Sequence, residues 1–108
     1  MKYSGFATLL AVTLLAAPSI ALAAPPATYW ITETMIADMN ACLVRGQSSH
    51  TRAGSTSITV SDRDVRGYRG DTVGVIVCLP AQDLAFIYTA GPNGNEAQLY
   101  RNALRGGL

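Results

Sequence analysis

Val73-Gly74-Val75-Ile76-Val77-Cys78-Leu79 is the most apolar stretch of the chain beyond its first 24 residues. β-Branched residues dominate it, and they favour extended backbone because two heavy atoms on Cβ restrict χ1. It is apolar at both odd and even positions, so a strand here would be covered on both faces. Residues 73–79 are therefore expected to form the central strand of a sheet. Pro80-Ala81-Gln82-Asp83 reads as a turn, since proline offers no N–H to a ladder. Residues 84–89 alternate, with Phe86 and Tyr88 on one side and Ala85 and Ile87 on the other, and predict a second strand. Residues 56–61 place Ile58 and Val60 against Ser57, Thr59 and Ser61, which predicts a third, half-buried strand. Residues 62–71 are charged, contain glycine and read as a connection. Short connections favour an antiparallel meander.

On the C-terminal side, Gly91-Pro92-Asn93-Gly94 is a strong turn signal. Asn95 is placed to cap a helix over residues 96–105, whose apolar face holds Leu99, Tyr100, Ala103 and Leu104. Glu96 and Arg105 suit the two ends of its dipole, and Gly106 suits its stop. On the N-terminal side, Ile31, Met35, Met39, Cys42 and Gly46 recur at helical spacing, which predicts a helix over residues 29–45. Residues 47–55 are polar and aperiodic, as in a loop. The expected fold is an α+β domain ordered helix, three-stranded antiparallel sheet, helix, within residues 24–108.

Residues 1–23 have the order of a secretory signal peptide. Lys2 supplies a positive start, residues 6–17 are apolar apart from Thr8 and Thr13, and Pro18 precedes Ala21-Leu22-Ala23. Cleavage is expected after Ala23, leaving no stable membrane anchor and a periplasmic or secreted domain. The 108 residues less the leader leave 85, enough for one domain with a modest core. Lys2 is the only lysine, so the eight basic residues of the chain reduce to seven arginines against seven acids. A near-neutral domain lacks the electrostatic footprint of a nucleic-acid binder. Cys42 and Cys78 are the only cysteines. An isolated pair in an oxidising compartment reads as a disulfide, and its spacing excludes a C-x-x-C redox motif. It would tie the first helix to the central strand.

The residues with chemistry to offer are few. Met35, Met39 and His50 are a soft ligand set for copper in an exported chain, although methionines at helical spacing are more simply core. Asp62, Asp64 and Asp71 lack the remaining ligands of a calcium loop. Ser48, Ser49 and His50 are adjacent in sequence, which does not make a nucleophile and base meet in space. No catalytic residue and no cofactor are expected. Arg63, Arg66 and Arg69, with Tyr68 among them, suit a carboxylate or phosphate ligand, or a protein contact. Trp30 is either a staple against the first helix or an exposed anchor. The expected function is thus that of a small exported, non-catalytic binding or interaction protein. Its expected partner is another protein or a small anionic ligand. The alternative is a copper-binding or copper-responsive periplasmic protein. No residue pattern singles out a family.

Overall fold

A computed structural model describes residues 25–108. The expected signal peptide and its cleavage site lie outside the described residues. The elements run β1 (Ala27–Thr34), α1 (Met39–Arg52), β2 (Thr56–Val60), β3 (Asp64–Arg69), β4 (Thr72–Leu79), a 3-10 turn (Pro80–Gln82), β5 (Leu84–Gly91) and α2 (Gly94–Gly106). The five strands form one antiparallel sheet in the order β1-β5-β4-β3-β2. Both helices lie on one face of it.

The expected three-stranded sheet is therefore corrected to five strands, and the chain opens on a strand instead of a helix. The segment Ala-Thr-Tyr-Trp-Ile-Thr-Glu-Thr alternates strictly between half-buried and exposed positions. Tyr29, Ile31 and Glu33 face the helices, while Thr28, Trp30, Thr32 and Thr34 face away. The helical spacing from Ile31 to Gly46 ran across two elements: β1 ends at Thr34, and α1 begins only at Met39. Asp38 caps α1, its side chain accepting the Ala41 N–H at 2.7 Å. The helix then continues through the expected loop to Arg52. The second added strand, β3, occupies the expected charged connection. Its inward positions are Val65 and Gly67, and its outward ones are Asp64, Arg66 and Tyr68.

β1 and β2 form the two edges, and α1 with its flanking segments connects one edge to the other. α1 packs under β2, β3 and β4, and α2 under β1, β5 and β4. The core lies between the layers and is built on Val65, Ile76, Ile87, Tyr100 and Leu104, all fully buried. Cys42 and Cys78 form a disulfide between α1 and β4, the middle strand of the sheet. Asn93 caps α2, accepting the Glu96 N–H at 3.1 Å, two residues ahead of the expected cap.

Candidate functional site: the uncovered sheet face and a polar cluster beneath the sheet

The face of the sheet opposite the helices has no second layer among the described residues. In register, β1, β5 and β4 place Trp30, Tyr88 and Val75 in one row, with Thr32, Phe86 and Val77 in the next. Trp30 stacks obliquely on Phe86 with ring centroids 5.8 Å apart, and Phe86 lies 5.9 Å from Tyr88. Trp30 remains 62% exposed and Tyr68 41%. Val75 points to the same side yet is only 1% exposed, between its cross-strand neighbours Arg66 and Tyr88. Arg66 and Tyr68 continue the face on β3, beside an open depression of about 410 Å³ that also touches Thr59 and Asp64. Apolar and aromatic side chains thus run across the middle of the face, bordered by threonines on β1 and a mixed polar margin on β3 and β2.

The candidate contact residues divide between places. Trp30, Arg66 and Tyr68 share the uncovered face. Arg69 has the opposite parity and points to the helix side, where its guanidinium stands 5.9 Å from the Tyr100 ring centroid. Arg63 sits exposed in the β2–β3 connection. The three arginines therefore do not converge on one anion. Phe86 and Tyr88 belong with Trp30, and the alternation that places them in a strand does not say which side stays bare.

Beneath the other face lies a cluster that sequence adjacency did not foresee. His50 is fully buried near the end of α1. Its Nε2 is 3.0 Å from the Val65 carbonyl, which can only accept, so Nε2 carries the proton. Nδ1 then accepts from the Ser55 hydroxyl at 2.7 Å, and the Tyr100 hydroxyl donates to Ser55 at 2.5 Å. Ser49, beside His50, donates to the Leu104 carbonyl of α2. Gly67 and Gly74, paired across β3 and β4, leave the space this cluster fills. A Cβ on Gly67 would meet His50 Nδ1 at 2.7 Å, and one on Gly74 would meet Tyr100 at 2.7 Å.

Burial favours the neutral imidazole. Desolvation lowers its pKa below the ordinary 6.5, outweighing the upward effect of the Val65 carbonyl. A proton on Nδ1 would reverse the Ser55 hydrogen bond, so that Ser55 accepts from both the imidazole and Tyr100 and its own proton loses its acceptor. Burial likewise raises the Tyr100 pKa, against the lowering effects of Ser55 and Arg69. The linkage has one sign. Unfolded chain takes up a proton on His50 as pH falls through about 6.5, and folded chain does so only at lower pH. The contribution of His50 to stability is therefore complete above 6.5 and declines below it. His50 is the only histidine, so its ring protons need no assignment: their NMR titration midpoint should fall below 6.5. A midpoint at or above that value would contradict the buried neutral ring.

The cluster reaches the surface only through Ser55, which is half-buried, while His50 and Tyr100 are fully buried. Four open depressions of the surface are lined by other side chains than His50, Ser55 and Tyr100, and among the described residues no buried side-chain nitrogen or oxygen lacks a partner. The copper set is likewise dispersed. Met35 is buried between β1 and α1, and Met39 opens the helix that His50 nearly closes. Eleven residues of helix separate Met39 from His50 by roughly 16 Å, too far to share an ion. Comparison with protein-family models, with curated proteins and with solved structures finds no match to this chain.

Proposed function

We propose that the chain is a non-catalytic, exported interaction module that binds another protein through the uncovered face of its sheet. The observation that carries this reading is the continuous aromatic and aliphatic surface formed by Trp30, Phe86 and Tyr88 over β4. Trp, Tyr and Arg are the residue types that dominate the energetics of protein contacts. A partner with an apolar surface would bury the part of Trp30 that remains in water, 62% of the residue, and taking apolar surface out of water favours association. The face is broad and open, so it suits a macromolecular surface better than a small ligand, which needs a concave site. The near balance of seven arginines and seven acids leaves apolar contact as the main attraction. The export part of this reading rests on the order of residues 1–23.

The test is a binding measurement with a partner identified by cross-linking and then purified. Trp30→Ala should weaken the reconstituted complex about 30-fold or more, as for a central anchor residue. The same substitution should lower folding stability by no more than about 1 kcal/mol, since most of the ring is already in water. Arg45→Ala, on the exposed side of α1, should leave affinity unchanged. A complex indifferent to Trp30→Ala, or one lost equally in both variants, would place the contact elsewhere.

A further inference from the structure

The two edges of the sheet are built differently. β2 has five residues, a register shift between Thr56 and Thr59, and Ser57 in the left-handed region at φ 53°. A short, kinked edge resists the addition of another strand. β1 has no such device. Its eight residues keep unbroken register with β5 from Ala27 to Thr34, and they include no proline and no lysine. Its outer side is a bare strand edge among the described residues.

We infer that β1 pairs antiparallel with β1 of a second copy about a two-fold axis at Ile31, joining the two sheets into one. Residues opposed across an antiparallel pair lie on the same face, so Trp30 can meet only the outward residues of the partner. With the axis at Ile31, Trp30 stands opposite the partner's Thr32, and Thr28 opposite the partner's Thr34. Aromatic–β-branched and threonine–threonine pairs are favourable cross-strand neighbours.

Charge selects both the register and the second copy. On the helix-bearing face, Glu33 falls opposite the partner's Tyr29, and within each copy Arg101 stands 5.9 Å from the Tyr29 ring centroid. Each copy therefore brings a carboxylate to the other's guanidinium, and symmetry makes the contact twice. Within its own chain Glu33 meets Arg105 at 3.2 Å in a solvent-exposed pair, which leaves its second oxygen for the partner. An axis at Trp30 would set Glu33 against the partner's Ala27, and an axis at Thr32 against the partner's Ile31, losing the complementarity. A foreign strand would satisfy the bare edge alone, whereas a second copy satisfies the charges as well. This inference concerns the edge of the sheet and does not depend on the reading of its face.

Sedimentation of the protein recovered from cells should show a two-chain mass that falls to one chain on dilution. Glu33→Arg and Arg101→Glu should each weaken self-association about tenfold, because an exposed pair is modest but is here reversed and counted twice. Combining the two substitutions should restore it. In a second measurement, Ile31→Cys should link two copies on oxidation, since opposed Cβ atoms lie about 5 Å apart. Val60→Cys, on the other edge, should not. A one-chain mass at every concentration overturns the inference, as does a dimer insensitive to both charge reversals that Ile31→Cys fails to link. A monomer that instead binds an unrelated extended peptide at β1 overturns it in favour of strand addition by another protein.

Discussion

Reduction of the Cys42–Cys78 disulfide should lower the unfolding free energy by about 4 kcal/mol. The bridge spans a sequence separation of 36, and closing a loop of that length removes this much conformational freedom from the unfolded chain in the entropic model. A domain of this size holds about 4–12 kcal/mol in total, so the reduced protein should sit near the limit of stability. The position of the bridge adds to the effect. α1 offers the sheet a poor apolar face: its buried residues are Cys42, Gly46, Ser49 and His50. Its hold on β4 depends on the bridge to an extent that a leucine-rich helix would not. The measurement is a pair of urea titrations on the same protein, oxidised and reduced, with the midpoint read by Trp30 fluorescence and by far-UV circular dichroism. A difference under about 1 kcal/mol would mean that packing alone seats α1.

Tyr100→Ala should be comparably damaging, at about 3–5 kcal/mol. Tyr100 is the largest fully buried side chain among the described residues. Its ring lies against Gly74 on the floor of the sheet and meets the His50 ring edge-on at 6.2 Å. Removing it empties the centre of the interlayer core and takes away the donor that completes the Ser55 and His50 chain. Tyr100→Phe separates the two contributions. It keeps the ring and leaves the Ser55 oxygen short of one partner, so about 1–2 kcal/mol should be lost. Equal losses in the two variants, measured by chemical denaturation, would show that the hydroxyl and not the ring carries the stabilisation.

Much of the sheet was legible because its bulk is carried by ordinary strand residues. The β-branched run at 73–79 and the alternation at 84–89 gave two strands that the structure extends by only one or two residues. The lone cysteine pair gave the disulfide. The errors at β3 and in the second half of α1 share one physical origin, which is that small or polar residues stand where apolar ones are usually sought. Gly67 replaces a side chain on the inward face of β3, so the alternation Val65, Gly67 disappears among Asp64, Arg66 and Tyr68. Gly46, Ser49 and His50 form the inward face of α1 along with Cys42. The hydrophobic period of Met39, Cys42 and Leu43 stops at Gly46, so the polar second half of the helix resembles a loop. In β1, two signals competed. Ile31 and Met35 continued a helical spacing, while Tyr29 to Thr34 alternated with aromatic and β-branched residues. The local alternation prevailed because β5 supplied a long partner for those residues. Of the candidate contact residues, Trp30, Arg66 and Tyr68 proved to share a face. That sharing was invisible in the sequence because β1 and β3 meet it from opposite sides of β4 and β5.

The facing glycines of β3 and β4 have a bearing on how this chain can change by descent. A methyl group at position 67 collides with the imidazole at position 50, and one at position 74 collides with the phenol at position 100. Neither strand position can enlarge first without forcing the layers apart, and shrinking a helix position first opens a void. Each strand site is thus bound to its helix site, and variation there must proceed by concerted replacement, passing through a weakened ancestor or not occurring at all.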